Sequence, residues 1–158
     1  IEAVNGQPLP PPVVAGAPAP AFTAVDLAGE SHSLAGNRGR VTLLKFWATW
    51  CPHCRSDIPL MKELFGQYGE KGLRLLTVSI DQDSGALQTF VAKEQLAYPV
   101  VSALSHPDLP DLYEARGVPT YVLIGADGTI VKTWRGSVTE IPSDFEDVVT
   151  RLLAPAGT

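Results

Sequence analysis

The sequence predicts an α/β fold: a central mixed β-sheet flanked by helices on both faces, with a short β extension at the N-terminus. Three observations predict it. Apolar runs of strand length alternate with segments whose apolar residues recur at helical spacing, as in sheets built from strand–helix–strand units. A late stretch, "PTYVLIGADGTIVKTWRG", joins two apolar runs through an Asp-Gly turn, so part of the sheet is an antiparallel hairpin. The chain then closes on an amphipathic helix, "PSDFEDVVTRLLA", with Ser143 as its expected cap.

The remaining elements follow in order. "NGQPLPPPVVAGAPAPAF" is rich in Pro, Ala and Gly and nearly uncharged, so residues 1–18 are expected to form a linker and 19–158 one domain. "FTAVDLAGE" and "SHSLAG" are expected to form two short strands around a turn at Gly29. "RVTLLKFWATW" is a nearly continuous apolar run with β-branched and aromatic residues, the pattern of a strand covered on both faces. "PHCRSDIPLMKELFGQYGEKG" predicts a helix with Leu60, Met61 and Leu64 on its apolar side, Pro52 in its first turn and Gly69 and Gly72 at its end. Pro59 falls inside it and predicts a kink. "LRLLTVSID" is a second buried strand, and "SGALQTFVAKEQL" a helix with Ser84 as the expected cap. "YPVVSA" is a short strand, and "DLPDLYEARG" a short helix closed by Gly117. No internal repeat is present.

Bulk composition excludes several classes. With 12 basic and 17 acidic residues the formal charge is −5, and no Lys/Arg cluster stands out, so no nucleic-acid partner is expected. The apolar runs fall far short of the roughly 20 residues that cross a bilayer. The chain begins at Ile1 rather than Met, which is expected of a product whose export signal or membrane anchor has been removed. Two cysteines suit neither a disulfide-dense scaffold nor a four-ligand zinc site, so neither metal nor cofactor is called for.

Those two cysteines, Cys51 and Cys54, stand at i and i+3 on the first turn of a predicted helix. The first sits where unpaired N–H groups favour negative charge, which stabilises a thiolate, the attacking species in disulfide exchange. The second lies one turn deeper and is placed to resolve a mixed disulfide by attacking the first sulfur. An inert staple is the competing reading, but closing so short a loop removes little unfolded-state entropy.

"FWATWCPHC", the downstream "GVPT" and the order of strands and helices resemble the thioredoxin superfamily, and within it the exported TlpA/ResA/CcmG (DsbE) type of thiol–disulfide oxidoreductase. The likeness runs from about residue 18 to the end. It implies a thioredoxin-like fold, protein substrates bearing thiols or disulfides, a periplasmic or other extracytoplasmic setting, a membrane redox partner, a role in cytochrome c maturation, and a monomer. It also implies that Pro119 is cis and faces the cysteines, with Val118 pairing to the substrate backbone. Trp50 is expected on the apolar docking surface and Trp47 in the core, while His32 and His106 are expected in surface loops.

Four positions bear on redox tuning. Pro52 and His53 separate the cysteines as in the strongly oxidising DsbA, whose thiol pKa is about 3.5 against about 7 in thioredoxin. An imidazole at His53 would favour the Cys51 thiolate and an oxidising poise, whereas the rest of the resemblance is to a branch that mostly reduces its substrates. Lys45 occupies the place of a buried acid in thioredoxins. Either its ammonium snorkels to the surface or it is buried as a cation that lowers the Cys54 thiol pKa. Asp57 falls where the exported branch often has Glu, and either assists proton transfer or is a solvated helix-face residue. Two other functions compete: a Cu(I)-binding metallochaperone using the thiolates and His53, and a peroxidase, although the Thr and Arg that serve a peroxidatic cysteine are missing around Cys51.

Overall fold

A computed structural model describes residues 13–153. Residues 1–12 of the expected linker lie outside the described residues. Residues 13–18 run along the late hairpin: Gly16 N–H donates to the Ile130 carbonyl at 2.8 Å and Ile130 N–H to the Ala17 carbonyl at 2.9 Å. Val13 is buried there.

Two short strands follow, β1 (Thr23–Val25) and β2 (Ser31–Ser33), paired antiparallel. Gly29 takes φ +88° in the turn between them, a conformation glycine adopts without steric cost. Asp26 fixes that turn by accepting the Ala28 and Glu30 amides at 2.9 and 3.0 Å. Its second oxygen holds His32 at 2.7 Å, so His32 is a half-buried strand residue rather than a loop residue. His106 lies in a loop as expected, where its Nε2 accepts the Val25 amide at 3.1 Å.

The main sheet contains β3 (Val41–Trp47), β4 (Leu73–Ser79), β5 (Val100–Ser102), β6 (Thr120–Ile124) and β7 (Ile130–Arg135) in the order β5-β4-β3-β6-β7. β3, β4 and β5 are parallel, and β6 and β7 are antiparallel to their neighbours, giving the mixed sheet that the sequence predicts. β3 is central, and every one of its residues is buried. Alternation along it splits the core in two. Leu43 and Trp47 join Met61, Leu64, Leu87 and Phe145 on one face. Leu44 and Phe46 join Phe22, Leu109 and Tyr113 on the other.

Six sequence expectations about helices meet the structure as follows. The helix expected from Pro52 onward is two helices, α1 (Pro52–Ser56) and α2 (Ile58–Tyr68), broken at Asp57. Pro59 explains the break: its ring displaces the carbonyl four residues earlier and it has no N–H to donate. α2 ends at Gly69 as expected. α3 (Ser84–Lys93) is capped by Asp83, whose side chain accepts the Ala86 amide at 3.0 Å; Ser84 is the first helical residue instead of the cap. α4 (Leu109–Leu112) ends before Gly117, with Glu114 at φ 55° turning the chain away. In α5 (Phe145–Leu153) the predicted serine does serve, Ser143 Oγ accepting the Phe145 amide at 3.3 Å.

Candidate active site

The two cysteines sit where β3 gives way to α1. The connecting loop is tied to the end of β4: Thr49 donates to Asp81 through its amide at 3.0 Å and its hydroxyl at 2.6 Å, and Ser79 Oγ donates to the same carboxylate at 2.5 Å. Arg55 returns from α1 to donate to the Thr49 carbonyl at 2.8 Å. Strand, loop and helix thus hold the site from three directions.

Cys51 is the N-cap of α1, with extended backbone at φ −95° and ψ 110°. Pro52 opens the helix, where a missing N–H costs nothing. The Cys51 sulfur accepts the Cys54 amide at 3.2 Å. An N–H aimed at sulfur stabilises a thiolate more than a thiol, because the bond gains strength with the acceptor's charge. Cys51 and Cys54 are joined in a disulfide, their Cα atoms 5.2 Å apart. Cys51 keeps 4% of its surface exposed and Cys54 none. Of the two residues only Cys51 retains any exposure.

Facing this pair is the turn into β6. The Val118–Pro119 peptide is cis. The Val118 carbonyl oxygen is 3.9 Å from the Cys51 sulfur. Trp50, adjacent to Cys51, is 61% exposed, a large apolar side chain presented beside the sulfur. Trp47, by contrast, is buried in the core as expected.

Lys45 does not snorkel. It is 1% exposed, and its ammonium donates to the Cys54 carbonyl at 3.1 Å while lying 5.8 Å from the ring centroids of Trp47 and Tyr121. Burial pulls its pKa down to about 8, opposed by the charge of Asp57.

Asp57 is not a solvated helix-face residue either, for it is fully buried. It accepts from Tyr121 at 2.6 Å, Ser137 at 2.7 Å, the Val138 and Thr139 amides at 2.9 and 3.2 Å, and the Thr139 hydroxyl at 2.5 Å. Burial pushes its carboxyl up, but the hydrogen bonds from Thr139, Tyr121, Ser137 and Val138 outweigh it and hold the group below the ordinary carboxylate range.

His53 turns to a partner the sequence did not suggest. Its Nδ1 lies 2.5 Å from Glu140 Oε2, and Ser56 Oγ donates to Glu140 Oε1 at 2.7 Å. Glu140, Tyr121, Ser137 and Thr139 were all missed by sequence reasoning, since they lie 64–87 residues from the groups they contact and no local spacing announces them. Among the described residues no group of three or more His, Cys, Asp or Glu side chains is gathered where it could hold a metal ion.

Comparisons with known proteins agree with this geometry. The AhpC/TSA family matches residues 15–133. Thiol-disulfide oxidoreductase ResA of Halalkalibacterium halodurans is 36% identical over 126 residues, covering 80% of this chain and 71% of that protein. Among solved structures, a putative thiol:disulfide interchange protein DsbE from Chlorobium tepidum superposes with a TM-score of 0.78 at 28% identity, covering 87% of this chain and 96% of that one. StoA from Bacillus subtilis superposes with a TM-score of 0.68 at 28% identity, covering 80% and 92%. A disulfide at a helix start, a cis Val118–Pro119 bond facing it and relatives of this kind lead to one conclusion: the chain belongs to the AhpC/TSA family and is a thioredoxin-like thiol–disulfide oxidoreductase of the ResA/DsbE type.

Proposed function

We propose that this protein is an extracytoplasmic reductant of protein disulfides, with Cys51 as nucleophile and Cys54 as resolving thiol. The observation that carries the reading is the asymmetry of the pair: Cys51 caps α1 with its sulfur and keeps some exposure, and Cys54 keeps none. In the reduced protein the Cys51 thiolate attacks one sulfur of a substrate disulfide. A mixed disulfide forms and one substrate thiolate leaves. Cys54 then gives up its proton and attacks the Cys51 sulfur, releasing the second substrate thiolate and closing Cys51–Cys54. Two electrons have passed to the substrate, and a membrane redox partner returns the pair to the dithiol.

Trp50 supplies apolar docking area beside the sulfur, and the Val118 main chain aligns the substrate backbone next to Pro119. Lys45, bonded to the Cys54 carbonyl, and Asp57, beyond it, tune the proton traffic of the resolving cysteine. The substrate class that fits the ResA and DsbE names of its relatives is the cysteine pair of apocytochrome c. Among the described residues no helix is long and apolar enough to cross a membrane.

The opposite direction is favoured by one feature, the Pro52-His53 dipeptide. The reduction potential of the pair, measured by equilibration with glutathione, separates the two. The expected value lies near thioredoxin's, about −270 mV. A value near the DsbA end, about −120 mV, would make the protein a disulfide donor.

A further inference from the structure

The Pro-His dipeptide calls for an oxidising pair, yet one ring nitrogen of His53, Nδ1, is turned to a carboxylate. Glu140 Oε2 lies 2.5 Å from its Nδ1. The carboxyl of Glu140 is held below its ordinary range by the hydrogen bonds from His53 and Ser56, so it is a carboxylate, an acceptor only. Nδ1 must therefore carry the hydrogen between them. Ser56 Oγ fixes the other carboxylate oxygen at 2.7 Å. The Glu140 amide donates to Ser137 Oγ at 2.9 Å, and Ser137 in turn donates to the buried Asp57 at 2.7 Å. Glu140 is thus fastened at both ends, to α1 by its side chain and to the Asp57 anchor by its backbone.

We propose that Glu140 is a positioning residue for the redox pair: by holding the His53 imidazole and placing a carboxylate beside α1, it keeps Cys51–Cys54 more reducing than Pro52-His53 alone would make it. Two effects act in the same direction. The Nδ1 hydrogen is given to Glu140 and so is not offered to a thiolate at Cys51. The carboxylate also adds negative charge to the neighbourhood in which that thiolate forms. Both disfavour the thiolate, and with it the reduced form, so the disulfide becomes a weaker oxidant. The assignment rests on disulfide exchange at the pair and explains how a CPHC motif can serve a reductant. His53 and Glu140 have side chains 68% and 41% exposed, so solvent screens their contact and the effect is modest.

The test is a double-mutant cycle on the full chain, Glu140→Gln and His53→Gln, singly and together. The equilibrium constant with glutathione and the pH midpoint of Cys51 alkylation are read in each. E140Q is expected to shift the equilibrium toward the reduced pair about two- to five-fold, the range of an exposed ion pair, and to lower the alkylation midpoint. In the H53Q background the same change should produce less than half of that shift. A purely structural role would alter melting without moving either readout. No shift with E140Q, an equal shift without His53, or a shift toward the oxidised pair would each overturn the assignment. A wild-type pair that fails to exchange with glutathione at all would overturn the exchange chemistry itself, and this assignment with it.

Discussion

Asp57 and Lys45 are both buried, yet their surroundings treat them differently. The loop after β7 delivers two hydroxyls and two amides to the carboxylate, from Ser137, Val138 and Thr139, and β6 adds the Tyr121 phenol. Lys45 is offered one carbonyl, that of Cys54 in α1, and two aromatic rings, Trp47 of β3 and Tyr121 of β6. The same burial therefore leaves one group ionised below its ordinary range and pulls the other down to about 8. What decides the charge of a buried side chain here is the number of dipoles that folding brings to it, not its depth.

The contrast is broken most severely at the saturated end. Asp57→Leu leaves Tyr121, Ser137, Thr139 and the Val138 amide without their acceptor and strands Lys45 beside no counter-charge. We expect a loss of about 3–5 kcal/mol in urea unfolding at pH 7. A loss below 1 kcal/mol would mean that the cradle is satisfied elsewhere.

Lys45→Met sharpens the other side. The folded-state pKa of about 8 lies below the ordinary 10.5, so between those values the unfolded chain holds more protons than the native one and stability rises with pH. Above about pH 10 the sign reverses, because burial raises the phenols of Tyr98, Tyr113 and Tyr121 and the unfolded chain then loses protons first. Between pH 8 and 10 the wild type should gain about 2–3 kcal/mol relative to the Met variant. Parallel pH profiles for the two proteins would show that Lys45 is not titrating there.

Tyr121→Phe is the gentlest cut, removing one donor to Asp57 while the loop keeps the rest. It should cost about 1.5 kcal/mol, and the loss should shrink as acid protonates the carboxylate. For Asp57 the depressed folded value gives stability that is present above the ordinary carboxylate pKa and lost as pH falls through the folded one. A Tyr121→Phe deficit that did not change with acid would detach the phenol from the carboxylate's charge.

Much of this was legible in the chain. The cysteine spacing, the continuous apolar run that makes β3 central and the Asp-Gly hairpin are local signals, and each found its place. The burial of Lys45 was implicit in the same run, since a residue in the middle of a strand covered on both faces has little room to reach water. The outcomes that were not legible depend on distant segments. Pro59 marks where the helix is disturbed, but a full break at Asp57 goes with a carboxylate turned toward residues 137–139. Asp83 displaced Ser84 as a cap by a single position, a choice made by loop geometry that periodicity does not encode. Glu140 carries no motif at all, and only the return of the chain after β7 brings it to His53.

The atom that caps α1 is also the atom we propose as the nucleophile. On that reading each turnover commits the Cys51 sulfur to a foreign partner, so a helix of five residues must survive while its own first-turn acceptor is engaged elsewhere. Arg55 reaching back to Thr49 and Ser56 held by Glu140 provide that insurance from outside the helix. The nucleophile can therefore leave its post and return to it without the scaffold having to refold around it.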